Sequence, residues 1–110
     1  MIIVFKKKAA KSELEKVAED LNGYIKFVVD VESKILAAGG KMHVEGEQVL
    51  LKDGSSQANL WGGGYDLESG EIDFDSMINI RPNQGNTSRE VLDAGIREDI
   101  LKIVQDLLIL

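Results

Sequence analysis

His43 is the only histidine of the chain, and Glu47 follows it four residues later. On a helix, positions i and i+4 are neighbours, so the two could serve as acid and base in one site. On a strand, His43, Glu45 and Glu47 would share a face instead. One histidine cannot supply a two-histidine metal motif, and no H-E-x-x-H occurs. Ser55, Ser76 and Ser88 could complete a hydrolytic triad, but none lies in a nucleophile-elbow sequence. His43 and Glu47 are therefore the candidate catalytic residues, set against the simpler reading of a structural or solvated histidine.

A second group is mostly neutral. The stretch Phe74–Ser88, F-D-S-M-I-N-I-R-P-N-Q-G-N-T-S, contains the only proline and then a run of amides and hydroxyls. Asn79 and Arg81 fall on one strand face, and Pro82 ends the ladder by removing a donor. Together with Asn86, Ser88, Gln57 and Trp61 they form a candidate ligand site. A guanidinium beside amides can hold a carboxylate or phosphate through two parallel bonds. The competing reading is that Arg81 pairs with Asp75 or Glu47 while the amides satisfy their own loop.

A third group is acidic. Asp66, Glu68, Glu71, Asp73 and Asp75 crowd one face of an expected hairpin, where like charges repel. Asp66, Asp73 and Asp75 are candidate ligands for a hard cation, although their spacing matches no calcium loop and a hydrated tip is simpler. Gly62-Gly63-Gly64 lacks the G-K-[ST] of a phosphate loop and leads into a strand. Glycines there point to a bulge or to close approach of another part of the chain, such as the Trp61 ring.

The elements that position these groups follow from periodicity. Ile2–Phe5 is a short β-branched run, expected as a strand. Ser12 and Glu15 suit a capping box, after which Leu14, Val17, Ala18 and Leu21 recur at helical spacing up to Asn22-Gly23. Tyr24–Val31 alternates, with Ile25, Phe27, Val29 and Val31 on one face, and turns at Glu32-Ser33-Lys34 into a strand from Ile35 to Ala38. Val44–Lys52 is read as a helix that stops at Asp53-Gly54, since Val49-Leu50-Leu51 breaks alternation. Leu60–Ile80 is read as a hairpin about Ser69-Gly70, placing Tyr65 opposite Phe74 and Trp61 opposite Ile78. Asp93 caps a last helix with an apolar stripe of Ile96, Ile100, Ile103, Val104, Leu107 and Leu108. The expectation is one α+β domain over residues 1–110. It has a mainly antiparallel sheet of about four to five strands, with two to three helices packed on one face.

Bulk properties exclude several classes. A hydrophobic fraction of 44% and a charged fraction of 29% are those of an ordinary folded protein. The net charge of −6 opposes nucleic acid, and Lys6-Lys7-Lys8 is the one cationic run. The chain has no cysteine, so disulfides and cysteine-ligated zinc are excluded. Met1–Phe5 is too short for a signal-peptide core, and no apolar run nears the roughly 20 residues that span a bilayer. A cytoplasmic protein without a cofactor is expected. Its partner is expected to be a small ligand or a protein, neither nucleic acid nor membrane. The apolar C-terminal helix suggests a homo-oligomer.

Two words of this sequence carry a resemblance. A-A-G-G-K-M-H-x-E-G-E-Q-x-L-L-x-D-G-S-S-Q-x-x-L-W-G and S-M-I-N-I-R-P-N-Q-G-N-T-S resemble the small prokaryotic domain-of-unknown-function family 5674, from about Ile25 to the last helix. The resemblance implies shared positions at His43, Glu47, Gly54, Ser55, Gln57, Trp61, Gly62, Asn79, Arg81, Pro82, Asn86 and Ser88, and no activity. Relatives carry H-A-D where this chain has His43-Val44-Glu45, which favours the helix. From the residues, a non-enzymatic binding domain with a polar site around I-N-I-R-P is expected, with a small hydrolase or other acid–base enzyme as the alternative.

Overall fold

Alternating and β-branched segments form five strands: β1 (Ile2–Phe5), β2 (Tyr24–Asp30), β3 (Ile35–Gly39), β4 (Leu60–Asp66) and β5 (Ile72–Asp73). Three stretches of helical period form α1 (Lys11–Ala18), α2 (His43–Lys52) and α3 (Ala94–Leu108). The computed structural model describes residues 1–109. The sheet is antiparallel throughout in the order β1-β3-β2-β4-β5, so the α+β class is as expected. Phe27 of the central strand lies between Ala38 of β3 and Gly63 of β4.

Successive strand residues point to opposite faces, and both faces of this sheet are covered. Ile25, Phe27, Val29, Leu36, Ala38 and Trp61 pack with α1 and α3. Val28, Ala37 and Leu60, on the other face, pack with Leu50 of α2. Gly46 lets α2 settle there, since a Cβ at that position would lie 3.2 Å from Val28 and 3.5 Å from Ala37. The helices are therefore not all on one face as the acidic face of the second hairpin suggested. Three successive buried residues, Phe27-Val28-Val29, mark a strand enclosed on both sides.

Helix starts use acidic side chains. Glu13 of α1 returns to the Ala10 N–H, so helix one begins two residues before the Ser12–Glu15 box expected for it. Glu45 Oε1 accepts from the Lys41 and Met42 N–H groups at the start of α2. Asp93 caps α3 through Ile96 N–H, as expected. The α3 stripe is consumed within the chain: Ile100, Ile103, Val104, Leu107 and Leu108 are all buried in the core. That removes the motive for an oligomer through this helix, while Leu110 lies outside the described residues.

The second hairpin differs from expectation in register and length. Tyr65 pairs with Ile72 and Gly64 with Asp73, two residues out of the expected alignment. Asp66 causes the slip, because its Oδ1 accepts from the Glu68 and Ser69 N–H groups and its backbone N–H donates to Glu71, making a wider turn. The strand then stops at Asp73 and does not run to Ile80. Ser76 Oγ accepts from Ile78 N–H and opens a 3-10 turn over Met77–Asn79.

Candidate functional site

Beyond its pairing with β5, the outer edge of β4 from Leu60 to Gly62 has no neighbouring strand. Side chains take the strand's place. Asn79 Oδ1 accepts from Gly62 N–H at 2.8 Å, and its Nδ2 donates to Gly62 C=O at 3.0 Å, the pairing a strand residue would make. Nδ2 also reaches the carbonyls of Phe74 and Arg89. Asn86 repeats the device one layer out, with Nδ2 on the carbonyls of Asn79, Ser88 and Glu90 and Oδ1 on Leu92 N–H. Ser88 Oγ accepts from Glu90 N–H.

Arg81 completes this edge. Its guanidinium lies 3.9 Å from the Trp61 ring centre and donates to the carbonyls of Gln57 and Leu60 and to Gln84 Oε1. Burial pulls Arg81 below its ordinary pKa, and the charge of nearby Glu47 works against that. No ion pair forms between them, and Asp75 pairs with Arg89. Asn79 is 0% exposed, Asn86 4%, Arg81 7% and Trp61 2%. The structure brings the expected ligand residues Asn79, Arg81, Asn86, Ser88, Gln57 and Trp61 together. The side-chain polar groups of Asn79, Asn86 and Ser88 and the terminal nitrogens of Arg81, however, bond the chain itself, because buried backbone donors and acceptors must be paired.

The three glycines of β4 are a floor. A Cβ at Gly64 would fall inside the Tyr24 ring, which crosses β4 so that its hydroxyl donates to Asp73 Oδ2 at 2.6 Å. One at Gly62 would strike Ser76 and come within 3.0 Å of His43. One at Gly63, on the other face, would strike Phe27 and the Asp73 carbonyl. Close approach is thus the reason for the run, with Tyr24, Phe27, Ser76 and His43 over it in place of Trp61.

Over that floor lies an open cleft of about 230 Å³, lined among others by Tyr24, Lys26, His43, Ser76 and Arg89 and rimmed by Met42, Val44 and Met77. The rim is apolar and exposed, Met42 at 60% and Met77 at 64%. His43 Nε2 lies 2.7 Å from the Gly63 carbonyl, which can only accept, so Nε2 carries the proton. Nδ1 is then a free acceptor: the one buried side-chain nitrogen or oxygen without a partner among the described residues is Arg81 Nε. Burial holds His43 below its ordinary 6.5, and nearby Lys26 pushes the same way. Lys26 itself has no ion-pair or hydrogen-bond partner among the described residues. The α2 start adds the N–H groups of His43 and Val44, which have no partner among the described residues, whereas Glu45 N–H donates to the Met42 carbonyl.

The candidate catalytic pair is divided. His43 faces the cleft, whereas Glu47 is buried one turn along α2, outside the cleft lining. Ser76 Oγ accepts from Ile78 N–H and makes no hydrogen bond with His43, whose Nε2 is engaged by Gly63, so no serine–histidine pair is made. Asp66 turns the hairpin, Asp73 receives Tyr24 and Asp75 receives Arg89, so the three acidic candidates have separate partners. No cluster of three or more metal-ligating side chains occurs among the described residues. Neither Lys26 nor Tyr24 lies in a motif, so nothing in the local sequence singles them out. The signal was the glycine run, which requires neighbouring side chains to fill the space above it.

No helix among the described residues is long and apolar enough to cross a membrane. Residues 2–107 match the family described as "Protein of unknown function (DUF5674)". No curated protein and no solved structure matches the chain.

Proposed function

We propose that this chain, which belongs to the DUF5674 family, is a non-enzymatic binding domain whose ligand enters the cleft over the β4 glycines. The ligand is a small acid that also carries a hydrogen-bond donor. One observation carries this reading. Lys26 faces the cleft outside any ion pair, while Asp75 on the same wall pairs with Arg89 and Asp73 accepts from the Tyr24 hydroxyl. The cleft therefore offers a free ammonium beside the α2 N-terminus, and a fixed acceptor at His43 Nδ1. The I-N-I-R-P stretch supports the site by bonding the outer edge of β4 at Leu60 and Gly62.

The test uses two small acids, acetate and glycolate, which differ by one hydroxyl. Amide shifts in a ¹H–¹⁵N NMR titration are expected at Lys26, His43 and Val44, with glycolate binding more tightly. Lys26→Ala is expected to weaken binding about tenfold, or about 1.4 kcal/mol. Shifts confined to other surfaces, or equal affinity in the variant, would reject the site. The acid–base reading has one observation in its favour, the unprotonated Nδ1 of His43. A hydrolytic activity that His43→Gln abolishes without unfolding would establish it in place of simple binding.

A further inference from the structure

Exposed apolar side chains gather on the cleft over the β4 glycines. Among the described residues seven large apolar side chains are exposed, and three of them, Met42, Val44 and Met77, line this one cleft. Half-buried Ile78 continues the same lining. Local geometry puts them there. Ser76 and Asn79, three residues apart, are buried and face inward together, as 3-10 geometry aligns them, which leaves Met77 facing out. In α2, Gly46 faces Val28 and Ala37 of the sheet. Two residues are about 200° of a helix, so Val44 points the other way. The Met77–Asn79 turn packs against α2, and the two elements share the cleft.

Apolar side chains scattered singly over a surface are ordinary, but several gathered beside polar groups mark a place where something apolar sits. Two of the three are thioethers, which adapt to the shape they cover.

We infer that the ligand of this cleft is a short 2-hydroxy acid with an apolar side chain, an inference that rests on the acid site proposed above. Lys26 and the free N–H groups of His43 and Val44 hold the carboxylate. The hydroxyl donates to His43 Nδ1. The apolar side chain, on the same carbon as the hydroxyl, lies against Met42, Val44, Met77 and Ile78. Asp75 also lines the cleft, and its pairing with Arg89 at 3.0 Å answers its charge before the acid enters.

Two observations narrow the class. The cleft holds about 230 Å³, below the roughly 300–1,000 Å³ of sites for drug-sized ligands, so its occupant has about the bulk of one residue. Lys26 opposes protonation of His43 more strongly than Asp73 or Asp75 favours it. It would oppose an ammonium at Nδ1 in the same way, so the donor is a neutral hydroxyl and not the amine of a free amino acid.

The test is a ¹H–¹⁵N NMR titration of the full chain with glycolate and with each enantiomer of 2-hydroxy-4-methylpentanoate. One enantiomer is expected to bind about tenfold more tightly than glycolate, the gain from covering the equivalent of one or two methylenes. It also binds more tightly than its mirror image, because three different contacts around one carbon tell the two forms apart. Met42→Gln with Met77→Gln keeps size at two exposed positions and brings the preference over glycolate toward one. Preference retained in that variant would overturn the inference. Glycolate shifts at Lys26 with no preference for the branched acid would overturn it as well and leave the acid site standing. No glycolate shift there would reject both. N-Acetylleucine offers the same side chain as the last residue of a peptide. Tighter binding than the hydroxy acid would make the occupant a peptide end and overturn the assignment to a free acid. Shifts at the rim that follow protein concentration, and not added acid, would make the cover a second copy, with the same result.

Discussion

At the scale of the residue, His43 shows how one hydrogen bond sets several properties together. Donation to the Gly63 carbonyl fixes the tautomer, and burial favours the neutral ring. Its folded pKa therefore lies below the ordinary 6.5 that the unfolded chain retains. Between those two values the unfolded state binds a proton that the folded state does not, so stability falls as pH drops through that window and is complete above it. Urea unfolding at pH 7.5 and pH 5 should show a larger loss for the natural chain than for His43→Gln, which keeps a donor for Gly63. Equal losses would mean that His43 is not the group responsible. That His43 mattered was legible from its being the single histidine. Its bond partner was not, since the Gly63 carbonyl lies twenty residues away and carries no side-chain signal.

At the scale of the element, period was legible and side-chain pairing was not. The first hairpin, α2 and the cap of α3 follow from spacing and turn residues alone. The Leu60–Asp73 hairpin was found but misaligned, because the Asp66 carboxylate set the turn by bonds that leave no period in the sequence. The segment from Phe74 to Ile80 reads as a strand by alternation, yet it opens a longer span that runs on to Asp93. It is an irregular span held by Asn79 and Asn86, and the same amides that suggested a ligand site are what hold it. Asn79→Ala leaves Gly62 N–H and C=O without their partner, while the carbonyls of Phe74 and Arg89 lose one of two donors and keep Val91 and Ser76 N–H. At roughly 1–3 kcal/mol for each group left unpaired and dry, with some regained from water, a loss of about 3 kcal/mol is expected in urea titration. Asn79→Asp should cost more, since it sets a carboxylate against three carbonyl oxygens. A loss below about 0.5 kcal/mol for either would show that the edge is solvated.

At the scale of the whole molecule, a sheet with helices on both faces explains how a small chain builds two hydrophobic clusters. Val28 and Ala37 serve the α2 side while Phe27, Val29, Leu36 and Ala38 serve the α1 and α3 side. The acidic face of the second hairpin suggests that one face meets solvent, and Lys26 and Asp30 of β2 lie on that same face. Asp30 is in fact buried, its carboxylate bonded to Glu32 and Ser33 N–H and to Ser55 Oγ. Polar residues on a strand face mark solvent only when nothing else on the chain answers them.

The side-chain seal along β4 also orders events in time. The Asn79 clamp on Gly62 gains its strength only in the dry edge that exists once β4 lies against β2, so the span from Phe74 to Asp93 is expected to dock after the central strands have met. Its bonds are then absent from the rate-limiting barrier of folding. Stopped-flow measurements on Asn79→Ala should find refolding at nearly the natural rate and unfolding accelerated, by about a hundredfold for a 3 kcal/mol loss. Slower refolding by a comparable factor would place the clamp early. The two asparagines would then act mainly as a brake on unfolding, setting how long a folded molecule lasts more than how quickly one forms.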